Sequence, residues 1–163
     1  MAPIFAPKSP GTNDVRQIFS RISQNYDFLN RIMSLGLDRY WRRLLIRKAH
    51  FSPKSRIMDI GAGSGDMSRA IRKYTPGAQL FLTDICPDLM IYGRKKADLG
   101  NADWLTADAS RLPFKPETFD GMTAGFSLRN VAKFHDALSE MRRSLKSGGR
   151  IAVIEMVRPT GKG

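Results

Sequence analysis

Arg56-Ile-Met-Asp-Ile-Gly-Ala-Gly-Ser-Gly-Asp66 is the stretch around which the rest of the chain is read. Its short apolar run (Ile57, Met58, Ile60) predicts a buried strand, and Gly61, Gly63 and Gly65 follow at alternate positions. A helical pattern begins at Ser64 and runs to residue 74. Strand, glycine turn and helix start together make a nucleotide cradle, because glycine lets backbone approach a ligand and helix N–H groups point at it. A dinucleotide fingerprint places its third glycine three positions after the second; that position is Asp66 here. Asp59 and Asp66 bracket the loop and would repel a pyrophosphate. They suit a ligand that carries cations, such as the ammonium and sulfonium of S-adenosylmethionine (SAM). The alternative is a plain tight turn, since Gly-x-Gly-x-Gly by itself is a weak signal.

Downstream, apolar runs at residues 79–83, 102–106, 119–124 and 150–157 predict four more strands. Helical patterns separate them at 88–97 and 134–145, the latter closed by Gly148-Gly149. Strands alternating with helices predict an α/β fold: a doubly wound, mainly parallel sheet whose ligand lies at the carboxyl ends of the strands. Asp84 ends the second strand, where a carboxylate can accept from both hydroxyls of a ribose. Asp108 ends the third, where with Ala109 it can border an adenine and accept from its amino group. One such aspartate is compatible with a turn or helix cap; three at successive strand ends (Asp59, Asp84, Asp108) point to a site. Strand ends are expected to be solvated, so Asp84→Ala is expected to leave stability nearly unchanged.

Upstream, residues 1–12 carry Pro3, Pro7 and Pro10 without periodicity and read as a flexible arm. From residue 13 the pattern is helical: Val15, Ile18, Phe19 and Ile22, then a patch over 25–34 ended near Gly36. Leu37, Tyr40, Trp41, Leu44 and Leu45 form a further stripe, opposite Arg39, Arg42, Arg43, Arg47 and Lys48. Such a helix either turns its stripe to a core, with a solvated basic back, or lies on a membrane interface. The organisation expected is one domain over 13–163: N-terminal helices at 13–50, forming a lid over the glycine loop, and a sheet core at 55–157.

A chain of 163 residues is long enough for a substantial core. Its 27 basic and 15 acidic residues give a net charge of +12, which favours anionic partners such as nucleic acid or an anionic bilayer. A merely solvated basic surface is the alternative. No apolar run approaches the ~20 residues of a spanning helix, and the N-terminus has no secretory pattern. Cys86 has no second cysteine to pair with, so a reducing cytoplasm is the expected compartment, peripheral at a membrane if the basic helix binds one. Cys86 reads as a packing residue. His50 and His135 are the only histidines, no metal-ligand spacing occurs, and no metal is expected.

With these residues in place the chain resembles the class I SAM-dependent methyltransferases, and more narrowly the ubiquinone/menaquinone biosynthesis C-methyltransferase family. Three stretches carry the narrower match. The first runs from Phe19 through Asn25-Tyr-Asp-Phe-Leu-Asn to Arg43. The second is Leu112-Pro-Phe, Phe119-Asp120 and Gly125-Phe-Ser-Leu-Arg-Asn-Val. The third is Ala137 to Arg150, ending in Glu155-Met-Val-Arg-Pro. The resemblance implies SAM contacts at Ser64, Asp84, Asp108, Ala109 and Gly125, with Gly61, Gly63 and Gly65 shaping the loop. Gly125 stands where relatives can carry serine, Ser127 replaces a usual glycine and Ser147 a usual proline. Such enzymes continue beyond the point that corresponds to Gly163, adding strands that finish the sheet and part of the substrate pocket. Either a shortened form or a differently built pocket is expected here, and an apolar fifth strand left at the edge predicts self-association.

The activity implied is SAM-dependent C-methylation of a prenylated quinol, either demethylmenaquinol or a related benzoquinol. Quinol oxygens raise electron density at the adjacent ring carbon, so positioning supplies much of the catalysis. Arg129 is the candidate to stabilise a developing phenolate, and Tyr26 and Asp27 are further catalytic candidates, Asp27 as a proton acceptor. Two alternatives stand: methylation of another small molecule or of nucleic acid, for which no base-flipping signature is present, and a SAM-binding homologue without activity.

Overall fold

A computed structural model describes Gln17, Ile32 and residues 34–156. Apart from Gln17 and Ile32, the expected helices over residues 13–33, with Tyr26 and Asp27, lie outside the described residues, as does the arm. Helix α1 (Leu37–Ala49) is followed by β1 (Arg56–Ile60), α2 (Asp66–Tyr74), β2 (Gln79–Asp84) and α3 (Pro87–Lys96). Then come β3 (Asp103–Thr106), β4 (Phe119–Gly125), a 3-10 turn (Leu128–Asn130), α4 (Phe134–Ser144) and β5 (Leu145–Ile154).

The five strands pair in parallel in the order β3-β2-β1-β4-β5. The strand that carries the glycine loop is therefore central, which is why Ile57, Met58, Asp59 and Ile60 are all buried. Alternation divides the core between the two faces. Ile57, Leu80 and Leu82 pack with Met67 and Ile71 on one side; Met58, Ile60 and Phe81 pack with Phe119, Met122 and Met141 on the other. Strand order reverses between β1 and β4, so the crevice at a topological switch point opens beside the glycine loop. The expected doubly wound α/β fold is the observed one.

Local chemistry sets most element ends. Gly65 takes φ +83 immediately before α2, and Asp66 in its first turn complements the helix dipole. Pro87 stands at the first turn of α3, where its missing N–H costs nothing. One boundary departs from expectation. Helix α4 ends at Ser144 and Gly148-Gly149 lie inside β5. The carbonyls of Arg143 and Ser144 accept the N–H groups of Glu117 and Thr118 at 3.0 and 2.8 Å, which draws the chain out of the helix and onto β4. The glycines then fall in the irregularity between the Phe119–Leu145 and Gly121–Arg150 pairs. Among the described residues β5 is an edge strand, with Ile151 and Val153 exposed.

The second departure concerns α1. Its buried residues are Asp38, Arg42 and Ile46, while Leu37 and Tyr40 of the apolar stripe are exposed. The helix sits against α2 and β5. Arg42, expected on the solvated back, is 6% exposed and lies 4.8 Å over the Phe126 ring. That cation–π contact, with Trp41 at 6.3 Å from the same ring, turns the helix roughly a quarter turn from the face its apolar spacing favours. No helix among the described residues is long and apolar enough to cross a membrane.

Candidate functional site

A groove partly open to solvent runs along the carboxyl ends of β1, β2 and β4. Four of the expected site residues line it: Gly61, Asp84, Asp108 and Ala109. Ile85 and Leu89 add an apolar wall on the β2 side, and Phe126, Ser127 and Asn130 face it from β4. The charged residues in the lining are Asp84 and Asp108, both acidic.

Asp84 is held by its own neighbourhood. Its Oδ2 accepts the Gly63 N–H at 2.8 Å and its Oδ1 the Cys86 N–H at 2.8 Å. The glycine loop is thereby tied to β2, a tie doubled by the Ala62 N–H on the Thr83 carbonyl at 3.0 Å. Asp84 is only 9% exposed, which corrects the expectation of a solvated strand end. Burial pushes its carboxyl above the ordinary carboxylate value, and the N–H groups of Cys86, Gly63 and Ile85 pull against that. Asp108 closes a tight turn: its Oδ1 accepts both the N–H (2.9 Å) and the hydroxyl (2.8 Å) of Ser110.

The loop glycines answer to close packing as much as to a ligand. A Cβ on Gly61, at φ +63, would sit 2.4 Å from the Ser127 Cβ. Ser127 is fixed there by donating its hydroxyl to the Ile60 carbonyl at 2.9 Å. A side chain on Gly65 would press on Trp104, and Ser64, itself buried, lies under Gly93 of α3. Gly125 makes room for Met67, whose Cε would stand 2.6 Å from an added Cβ. Gly63, Ser64, Gly65 and Gly125 thus shape the cradle without lining the groove.

Asp59 is placed differently again. It is fully buried beneath the loop, where its Oδ2 accepts from the Ser68 hydroxyl at 2.6 Å and its Oδ1 from the Thr123 hydroxyl at 3.0 Å. Burial pushes its pKa up to about 6, while the Ser68 and Thr123 hydroxyls and the Arg42 charge hold it down. Its carboxylate ties β1 to α2 and β4 and is not part of the groove wall.

On the β4 side, Phe126 adopts φ +61, a conformation bulky residues rarely take. Its N–H donates to the Ile154 carbonyl at 2.8 Å, and Trp41 and Arg42 cover its ring. Arg129 stands on the 3-10 turn and pairs through one terminal nitrogen with Glu155 Oε2 at 2.7 Å; Glu155 Oε1 also accepts the Leu128 N–H at 2.9 Å. Sequence reasoning missed Arg42 and Glu155. Glu155 carries no local signal, because its partners are 26 and 27 residues away. Arg42 was hidden among five basic residues of one helix.

The sequence profile of the ubiE/COQ5 methyltransferase family matches residues 8–163. The chain belongs to that family. It is 35% identical over 153 residues to the ubiquinone/menaquinone biosynthesis C-methyltransferase UbiE of Cereibacter sphaeroides, covering 91% of this chain and 61% of that protein. The chain spans about three-fifths of the length of the curated relatives it matches. Among solved structures, the [4+2]-cyclase SpnF superposes with a TM-score of 0.78 at 20% identity, over 96% of this chain and 65% of that one. A SAM-dependent methyltransferase from Aquifex aeolicus gives 0.72 at 17% identity, over 87% and 77%. At those identities the likeness concerns the fold, and the cyclase illustrates that this fold carries more than one chemistry.

Proposed function

We propose that the chain forms the SAM-binding core of a C-methyltransferase that acts on a prenylated quinol. The observation that carries the reading is Asp84, a buried carboxylate whose two oxygens are oriented at the groove by backbone N–H groups of the loop and of the turn after β2. The residues present fit SAM: the groove's charged lining is acidic, which suits a sulfonium and disfavours a pyrophosphate. Asp84 would hold the ribose hydroxyls, and Asp108 with Ala109 would border the adenine against Ile85 and Leu89. When bound, SAM supplies an electrophilic methyl group. The chain's own part is to hold a quinol carbon in near-attack geometry and to exclude water, for which Phe126 under Trp41 provides an apolar wall.

Arg129 is the donor proposed for a developing phenolate. Glu155 engages one of its terminal nitrogens, and the fork has a second with which to donate to another group. The same reading brings the chain into peripheral contact with the bilayer that holds the substrate's prenyl tail. Calorimetry with SAM, followed by incubation with labelled SAM and vesicles containing demethylmenaquinol, tests both halves. Binding of SAM and a labelled quinone are the expected results; binding of NADH in place of SAM overturns the cofactor. A SAM-binding chain without methyl transfer is the second reading, favoured by the Glu155 clasp on Arg129. SAM binding with no labelled lipid would support it.

A further inference from the structure

We infer that the outer face of α1 is a docking surface for an anionic lipid bilayer. Leu37, Tyr40 and Leu44 stand at i, i+3 and i+7, so they share one side of the helix. Among the described residues the first two positions of that side are turned away from the core, Leu37 47% and Tyr40 60% exposed, while Leu44 is half-buried. Leu35, in the turn that leads into the helix, is 88% exposed at φ +50, so an apolar tip projects where a soluble surface would place a polar residue. Arg39, Arg43 and Arg47, at i, i+4 and i+8, flank the stripe on one side and Lys48 on the other, all exposed.

Every exposed charge on this helix is positive. Its single acidic residue, Asp38, is buried and accepts the Ser34 hydroxyl at 3.1 Å. An apolar stripe rimmed by basic side chains matches the acyl boundary and headgroups of an anionic bilayer. A second copy of the chain would instead have to place the same arginines opposite one another, which like-charge repulsion opposes. The helix is anchored through its other side, where Arg42 and Trp41 cover Phe126 at the mouth of the groove. A bilayer on the outer face therefore lies one helix diameter from the groove, about 10 Å. The inference rests on the α1 face alone and is tested without SAM or quinol, so it stands or falls separately from methyl transfer.

Flotation of the full chain with vesicles of phosphatidylcholine, alone or mixed with phosphatidylglycerol, reads the surface directly. Binding to the mixed vesicles, weakening with salt, is expected. Combined Arg39→Gln, Arg43→Gln and Arg47→Gln should lower the partition coefficient roughly 100-fold, about fivefold per charge. Leu37→Ser with Tyr40→Ser should lower it roughly tenfold; both positions are exposed, and unchanged melting would show the fold intact. Arg94→Glu with Lys95→Glu, on the exposed end of α3, should leave it within twofold. Equal binding to neutral vesicles overturns the inference. So does equal loss in the α3 variant, which would make bulk charge the cause. A chain that ignores vesicles but forms a dimer dissociated by Tyr40→Ser overturns it in favour of self-association.

Discussion

The β2 and β4 sides of the site hold their charged groups in opposite ways. On the β2 wall, Asp84 is buried and gripped by two backbone N–H groups from segments next to it in the fold. On the β4 side Arg129, which stands outside the groove lining, is 41% exposed and gripped by one carboxylate, Glu155. Fixed backbone dipoles orient a group without ordering a second side chain, and burial strengthens them. An exposed ion pair is worth at most about 1 kcal/mol and exchanges partners freely. The β2 wall thus holds its carboxylate in one orientation, while the ion pair on the β4 side can exchange partners. Under the proposed function, that division suits a tightly held cofactor and a transient substrate.

The largest effect should come from the β4 side, if its cation serves chemistry. Arg129→Ala is expected to reduce methyl transfer ~10²–10³-fold with SAM affinity and melting nearly intact. Arg129→Lys should recover only part, since a point charge replaces a planar fork. Normal quinol methylation by the alanine variant would leave the β4 side without a charged role. Stopped-assay product counts decide it.

The burial half of the contrast is sharpest at Asp59, whose folded pKa of about 6 exceeds its ordinary 3.8. A raised carboxyl contributes stability fully present below the unfolded value and lost as pH climbs through the folded one. Between those values the change is about 3 kcal/mol. Asp84 shifts in the same direction; Asp120 and Glu140, held below their ordinary values mainly by hydrogen bonds from Lys146 and Arg143, run the opposite way. The isolating measurement is therefore a difference. Unfolding free energies of the parent and of Asp59→Asn from denaturant titrations, compared from about pH 4 to about pH 7, should diverge by roughly 2–3 kcal/mol. Parallel curves would mean the buried carboxyl does not titrate there.

A smaller effect is expected on the β2 wall itself. Asp84→Ala removes a charged acceptor worth about 1.5–3 kcal/mol, so SAM affinity should fall ~10-fold to ~150-fold. The same change strands the N–H groups of Gly63 and Cys86, and stability should fall by about 1–3 kcal/mol. Unchanged calorimetry would remove Asp84 from the ligand's contacts; unchanged melting would deny the backbone clamp. Least of all should follow from Glu155→Gln, which weakens the exposed pair by about 0.2–1 kcal/mol. A larger loss in chemical melts would show that the two sides are built more alike than the exposures indicate.

What the amino-acid sequence determined by itself is the local part. Alternating strands and helices, the glycine turn after β1 and the aspartates at the end of β2 and just after β3 all follow from spacing and residue type over a few positions. Those signals suffice because backbone conformation and the carboxyl ends of parallel strands are settled locally. Tertiary structure decided the rest. Periodicity said which α1 residues share a side, but only the Phe126 ring, at a distant strand end, chose the side carrying Arg42 for burial. Asp59 and Asp84 look alike in sequence; Thr123 and Ser68 claimed one for the core, while the Gly63 and Cys86 N–H groups left the other at the groove. Arg129 met Glu155 only because β4 and β5 lie side by side. Each outcome depends on which long-range partner reaches a polar group once water is excluded, and short-range pattern carries no record of that.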